Sequence, residues 1–130
     1  MNINTFERKT FLNSPVLDVE SNSMFYINTK NNSLIVSVDL ERATANEAEQ
    51  FKDYLNSQAI SSESSLIIDL GKSTFIDSTF LSTIVSFNKK NKFKKDGIKL
   101  IVKDPRQSAI LKITKIDTIF KIYSALEEIV

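Results

Sequence analysis

The sequence contains neither cysteine nor histidine. Their absence excludes disulfide bonds, catalysis by a thiol or an imidazole, and zinc sites built from the usual ligands. Glycine is almost missing as well, since Gly71 and Gly97 are the only two in 130 residues. Two isolated glycines cannot form a P-loop or a dinucleotide-binding fingerprint. Several large classes of enzyme are therefore excluded at the outset.

The sequence also lacks an excess of charge of either sign. Its 17 basic and 16 acidic residues leave a net charge of +1, so no overall field directs it to nucleic acid or to anionic lipid. It has no apolar run of about 18 residues, and Glu7, Arg8 and Lys9 stand where a signal peptide would be apolar. We therefore expect a soluble, cytoplasmic protein of one domain, without a nucleic-acid or membrane partner.

The apolar residues that are present predict alternating strands and helices. Two apolar runs flank residues 30–32, "KNN", which predicts a β-hairpin. Thr44, followed three residues later by Glu47, forms a capping box and predicts the start of a helix. Residues 66–70, "LIIDL", are a continuous apolar run typical of a central strand. Three residues are expected on one side of the hairpin's second strand: Leu34, Val36 and Val38.

The C-terminal third continues this alternation. After a strand at residues 98–102, Asp104 and Pro105 supply an N-cap and a first-turn proline for a helix through "RQSAILKITKI". A short strand follows, and Ser124 with Glu127 forms a second capping box before a last, brief helix. Helices that alternate with strands predict an α/β sheet.

An acid and two hydroxyls stand at the junction of a strand and a helix in "FIDSTFLSTIV", residues 75–85. These residues are Asp77, Ser78 and Thr79. A serine there can accept hydrogen bonds from free helix N–H groups, and an acid gains about 0.3–1 kcal/mol from the helix dipole. The residue types alone favour helix capping.

The same stretch carries a family resemblance. "SLIIDLGKSTFIDSTFLSTIV" resembles the central strand, turn and helix of STAS domains, the family of bacterial anti-sigma factor antagonists. "VDLERATANEA" upstream and "DPRQSAILKITKIDTIFKIYSALEEIV" downstream are also similar to family segments. The resemblance defines a STAS domain at residues 24–130, preceded by an extension at residues 1–23 that is an extra strand, a tether or a docking arm. The matched motif positions are Asp69, Leu70, Phe75, Ile76, Asp77, Ser78 and Thr79.

The resemblance implies a fold and a function. The fold is a mixed sheet of four to five strands with three to four helices mainly on one face, without cofactor or metal. The unphosphorylated chain would bind a serine-kinase anti-sigma factor and release the sigma factor. The kinase would then phosphorylate Ser78, which switches binding off, and a phosphatase would reset it. Thr79 is a secondary acceptor candidate, with a role as a first-turn hydroxyl as its alternative.

The resemblance also places a partner-binding set around this serine. Asp77 orients Ser78 or contacts the partner, or it only caps the helix. Phe80 is either an exposed aromatic anchor or buried against the sheet. Asp39 and Glu41 approach the kinase, or they are solvated charges. The predicted partner-binding residues are Asp77, Thr79, Phe80, Asp39 and Glu41.

Three residues replace glycines of the family pattern. Lys115 stands at the end of the third helix, so it must adopt an unfavourable left-handed geometry or the turn must differ. Val38 precedes the Asp39 and Glu41 segment, and Phe80 follows the two hydroxyls. Phe80 favours an alternative function, an unswitched STAS scaffold or an accessory subunit of a signalling or lipid-transport complex.

Two further patterns support weaker alternatives. "KKNKFKKDG", residues 89–97, interleaves lysines with Phe93 as RNA- or membrane-binding segments do, although a solvated helix end explains it better. Asp69 and Asp77 suggest a paired-carboxylate hydrolase or an aspartyl-phosphate site, and the turn at Asp77 suggests a small enzyme or a ligand-binding module. No histidine or other recognisable base accompanies them, so we expect no enzyme activity.

Overall fold

The computed structural model describes residues 24–61, 65–91 and 97–129. Its main sheet has five strands in the order β1-β2-β4-β6-β7, and β3 pairs with β5 in a small second sheet. The elements in chain order are β1 (Phe25–Lys30), β2 (Ser33–Val38), β3 (Arg42–Ala43), α1 (Ala45–Ser57), β4 (Ser65–Asp69), β5 (Phe75–Ile76), α2 (Ser78–Asn91), β6 (Ile98–Ile101), α3 (Pro105–Ile113), a 3₁₀ turn (Ile116–Thr118), β7 (Lys121–Tyr123) and a final 3₁₀ turn (Leu126–Glu128).

The main sheet is mixed. β1 runs antiparallel to β2, whereas β2, β4, β6 and β7 are parallel to one another. Each connection between two parallel strands contains one of the three α-helices, because the chain must cross back over the sheet before the next parallel strand begins. The predicted mixed α/β sheet of four to five strands is confirmed.

The predicted hairpin between β1 and β2 is confirmed. Its two turn residues, Asn31 and Asn32, have φ angles of 51° and 67°. Two consecutive left-handed residues form the type I′ turn that suits the twist of a hairpin, and asparagine tolerates this conformation. Val36 and Val38 then lie in the main core, while Ile35, which precedes Val36, lies on the opposite face.

Helix α1 begins as the capping box predicts. The Asn46 N–H donates to the Thr44 hydroxyl at 3.2 Å, and the Thr44 N–H donates to the Glu47 carboxylate at 3.0 Å. Because both bonds involve neighbours in the sequence, the helix start is determined locally. The side chains of α1 that enter the core are Ala48, Phe51 and Leu55.

Helix α3 starts as predicted but ends early. Asp104 caps it, with Pro105 at its first position, and its last residue is Ile113 rather than Ile116. Lys115 then adopts the left-handed conformation, with φ 64° and ψ 22°. The expected unfavourable geometry at this position is therefore confirmed, and it stops the helix before the predicted end.

The capping box predicted near the C-terminus forms, but with a different glutamate from the one predicted. Glu128, not Glu127, accepts from the Ser124 N–H at 2.8 Å and from its hydroxyl at 3.1 Å. The final helix is one 3₁₀ turn whose N-cap is Ala125, so its third residue is Glu128. The start of the turn lies one residue later than the spacing predicted.

The two faces of the main sheet are covered unequally. The larger core lies between the sheet and the helices and includes residues of α1, α2 and α3, as expected for helices mainly on one face. On the other face, Ile35, Ile67 and Ile101 pack against Leu126 and Ile129 of the C-terminal turn. That turn therefore closes a second, smaller apolar cluster.

The two remaining expectations concern other parts of the chain. No helix in the described ranges has the length and apolar character needed to span a membrane. The N-terminal extension at residues 1–23 and the lysine-rich segment around Phe93 lie outside the described residues.

Candidate functional site

The strand-to-helix junction lies beside the start of α1 because β3 and β5 pair. Arg42 is the register partner of Phe75, and Ala43 that of Ile76. The Phe75 N–H donates to the Glu41 carbonyl at 3.2 Å, and the Asp77 N–H donates to the Ala43 carbonyl at 3.0 Å. These bonds bring the first turns of α1 and α2 together.

Asp77 joins the two helix starts. Its Oδ1 accepts from the Phe80 N–H at 2.9 Å, and its Oδ2 accepts from the Ala45 N–H at 2.8 Å. Each donor belongs to a free N-terminal turn, so one carboxylate caps both helices and interacts favourably with both dipoles. The capping interpretation of Asp77 is confirmed.

Ser78 is the first residue of α2, and its side chain is exposed. The expectation that Ser78 caps the helix is wrong, because the preceding Asp77 occupies that position. The Ser78 hydroxyl makes no hydrogen bond to any residue of the described ranges. Thr79 is exposed beside it, and its carbonyl accepts from the Thr83 hydroxyl at 3.3 Å. A free hydroxyl therefore stands at the mouth of α2.

Phe80 is not available as a partner anchor. Its side chain is fully buried, and its ring stacks on that of Phe51 with centroids 4.7 Å apart and planes 16° apart. The predicted partner-binding role of Phe80 as an exposed aromatic is therefore wrong. The ring instead packs α2 against α1, since it enters the core at the first turn.

The two acids of the preceding loop lie on the surface. Asp39 pairs with Lys72 at 3.1 Å between Oδ1 and Nζ, and the two side chains are 38% and 72% exposed. An exposed pair of this kind contributes at most about 1 kcal/mol. The Glu41 side chain is exposed, and its carbonyl holds the junction by accepting from the N–H groups of Thr74 and Phe75. Of these two acids, Glu41 is thus bonded directly to the junction.

Two residues outside the predicted partner-binding set contact each other across the paired strands that lead into the junction. The guanidinium carbon of Arg42 lies 4.4 Å from the centroid of the Phe75 ring, which is 39% exposed. Because side chains alternate along a strand, Phe75 faces outward beside the buried Ile76, but two residues are too few to show this alternation in the sequence. The cation above the ring comes from a pairing of two-residue strands, for which the sequence has no local signal.

The paired-carboxylate interpretation does not match the hydrogen bonds. Asp69 Oδ1 accepts from the Gly71 N–H at 2.8 Å, while Asp77 serves the two helix starts. Each carboxylate therefore accepts hydrogen bonds from a different set of backbone N–H groups. Within residues 24–61, 65–91 and 97–129, no group of three or more acids is arranged to hold a metal ion.

A shallow groove of about 320 Å³ runs between α1 and α2 and begins at Thr79. Its lining is rich in hydroxyl groups and carries a lysine from each helix. The residues that line it are Lys52, Asn56, Thr79, Ser82, Thr83, Ser86, Phe87 and Lys90.

Comparison with known proteins identifies related folds. The family model for the STAS domain matches residues 26–129. An anti-sigma factor antagonist from Mycobacterium paratuberculosis is 20% identical with a TM-score of 0.65, over 80% of this chain and 87% of the other. A STAS domain anti-sigma-factor antagonist from Planctomyces limnophilus is 21% identical with a TM-score of 0.67, over 80% and 92%. No curated protein matches the chain.

Proposed function

Because the chain belongs to the STAS domain family, we propose that it is a cytoplasmic anti-sigma factor antagonist switched by phosphorylation of Ser78. Its partners are a serine-kinase anti-sigma factor, which the unphosphorylated form binds so that the sigma factor is released, and a phosphatase that resets the serine. Two solved anti-sigma factor antagonists share the fold, which supports the choice of partner class. The observation that carries the proposal is the exposed hydroxyl of Ser78, which has no hydrogen-bond partner in the part of the chain that the structure describes.

The phosphoryl transfer needs no catalytic group from this chain. The Ser78 oxygen attacks the γ-phosphorus of ATP, the bond to the bridging oxygen of ADP breaks, and the hydroxyl proton passes to a base of the kinase. This chain supplies an accessible oxygen on the first turn of α2, so it acts as a substrate and ligand rather than as an enzyme. Thr79, also exposed, is the secondary acceptor.

The phosphate would weaken binding through charge and bulk. It adds about −1.5 to −2 charges at pH 7. The neighbouring Asp77 carboxylate is bonded to the N–H groups of Ala45 and Phe80, so it cannot turn away from the phosphate without uncapping two helices. Like charges placed at an interface cost several kcal/mol, and each 1.4 kcal/mol is tenfold in affinity. One phosphate is enough to turn binding off.

The proposed partner surface surrounds this serine. It consists of Ser78 and Thr79 on α2, the edge of Asp77, and the loop that carries Asp39 and Glu41. Phe80 is excluded from this surface because its ring is in the core. For the same reason Phe80 does not cover Ser78. Although Phe80 favoured an unswitched scaffold in the sequence, its buried ring leaves the Ser78 hydroxyl accessible.

The test is intact mass spectrometry of the full chain purified from its own cells, compared with Ser78→Ala and, as a matched control, Thr79→Ala. We expect one phosphate on the wild type and on Thr79→Ala, and none on Ser78→Ala. A phosphate that moves with Thr79 would transfer the switch to that residue. No phosphate under any growth condition would favour an unswitched scaffold or accessory subunit.

A further inference from the structure

Arg42 is an exposed cation held in place by a ring. Its guanidinium carbon lies 4.4 Å from the centre of the Phe75 ring. The guanidinium carries five N–H donors in its plane. None of the described carboxylates forms an ion pair with Arg42. Among the described residues, the donors of Arg42 therefore have no carboxylate partner and could bind an anion.

The backbone places this cation beside Ser78. Arg42 and Phe75 are register partners and both are exposed. The chain continues from Phe75 to Ser78 in three residues, which span at most about 10 Å of extended chain. That span is about one Debye length at moderate salt, so charges on the two side chains are close enough to interact. A phosphate on Ser78 lies within the electrostatic reach of Arg42.

The other charges around the junction do not replace Arg42. The Asp77 carboxylate is bonded to the N–H groups of Ala45 and Phe80. The nearby lysines of the helices lie along the groove that begins at Thr79, not on the paired strands. The charged side chains of β3, α1, α2 and the residues that flank them are Glu41, Arg42, Glu47, Glu49, Lys52, Asp53, Asp77, Lys89 and Lys90.

We propose that Arg42 is a clamp for phosphorylated Ser78 within the same chain. The guanidinium, supported on the Phe75 ring, donates to the phosphate oxygens and holds the phosphate against the β3–β5 surface. A planar fork that is already oriented loses little freedom when it binds a phosphate. The clamp makes the phosphorylated state longer-lived, because a phosphatase must displace the arginine first. This inference rests on Ser78 being the switch residue.

The test installs phosphoserine at position 78 of the full chain by genetic code expansion, so that no kinase is needed. The second pKa of the phosphate is measured by ³¹P NMR in the otherwise wild-type chain and in Arg42→Gln. A nearby guanidinium favours the dianion, so we expect Arg42→Gln to raise this pKa by about 0.3–0.5 at low salt, with a smaller difference at high salt. The matched control, Lys72→Gln, removes an exposed cation that pairs with Asp39 and should leave the pKa unchanged.

A second variant tests the role of the ring. Phe75→Leu keeps the charge of Arg42 and removes the platform, so the phosphate pKa should fall between those of the wild type and Arg42→Gln. Amide spectra establish that each variant is folded. Equal phosphate pKa values with and without Arg42 would overturn the clamp.

The clamp and the switch fail in different ways. If the chain from its own cells carries no phosphate while installed phosphoserine responds to Arg42→Gln, then the proposed switch fails and the clamp geometry stands. If Ser78 is phosphorylated in cells and the phosphate pKa is the same in the wild type and in Arg42→Gln, only the clamp is refuted.

Discussion

The carboxylate of Asp77 accepts a hydrogen bond from the N–H of Ala45, 32 residues earlier in the chain, at 2.8 Å. The other oxygen of the same carboxylate accepts from Phe80, at the start of the next helix. One side chain therefore links the first turns of α1 and α2. Because Ser78 follows Asp77 directly, the orientation of the candidate acceptor depends on the same two bonds.

Replacing this carboxylate should destabilise the whole domain. Asp77→Asn turns one of its two acceptor oxygens into an NH₂ donor that faces a backbone N–H. We expect a loss of about 1–2 kcal/mol in the free energy of unfolding, measured by urea denaturation. Asp53→Asn, on the exposed side of α1, is the matched control and should change stability by less than about 0.5 kcal/mol. Equal stability of the two variants would show that Asp77 does not join the helices.

Two phenylalanines five residues apart should respond very differently to truncation. Phe80 is fully buried on Phe51, whereas Phe75 is 39% exposed under Arg42. Phe80→Ala should cost about 3–5 kcal/mol of unfolding free energy through lost burial and a cavity. Phe75→Ala should cost no more than about 1 kcal/mol, which includes its cation–π contact. Similar losses in both, measured by chemical denaturation, would contradict the burial of Phe80.

The features that could be predicted from the sequence are those whose cause is local. The Thr44 capping box, the Asp104 cap with Pro105, and the Asn31–Asn32 turn each involve groups a few residues apart. Their residue types limit the backbone directly, whatever surrounds them. The family resemblance supplied the arrangement of these elements into one mixed sheet.

The features that escaped prediction depend on contacts between distant residues. The Asp77 to Ala45 bond and the Arg42 to Phe75 contact each join segments about thirty residues apart. Strands β3 and β5 have two residues each, which is too short for a periodic pattern. The burial of Phe80 did have a signal, since Ile84 lies four residues further along the helix on the same side.

The stability of the domain at acidic pH should depend on Asp104. Two nitrogens of Arg106 donate to this carboxylate, at 3.2 and 2.9 Å, and they lower the pKa of Asp104 from 3.8 to about 2. A lowered pKa in the folded state means that the contribution is present above pH 3.8 and is lost as the pH falls towards 2. The pair is near the surface, so the contribution is small and is weakened by salt.

Urea midpoints between pH 5 and pH 2 measure this contribution. In Asp104→Asn the decline of stability below pH 4 should be shallower than in the wild type. Arg106→Gln, which keeps the carboxyl but removes its partner, should have a similarly shallow decline. Parallel profiles for the wild type and both variants would refute the assignment. Glu128, whose pKa is also lowered by hydrogen bonds from Ser124, accounts for part of the decline that remains.

Glycine at position 115 should stabilise the domain. Lys115 has φ 64°, a conformation that costs a residue with a Cβ about 1–2 kcal/mol and costs glycine almost nothing. Glycine also loses more chain entropy on folding, so the net gain for Lys115→Gly should be up to about 1 kcal/mol. The bonds at this turn are kept, because the Thr118 N–H and hydroxyl donate to the backbone carbonyl of residue 115.

The matched control is Lys112→Gly, in the last turn of α3. It removes the same side chain from a helical position and should destabilise the domain by about 1 kcal/mol. Thermal unfolding of both variants checks the sign, and a loss of stability in both would mean that the left-handed turn carries no strain.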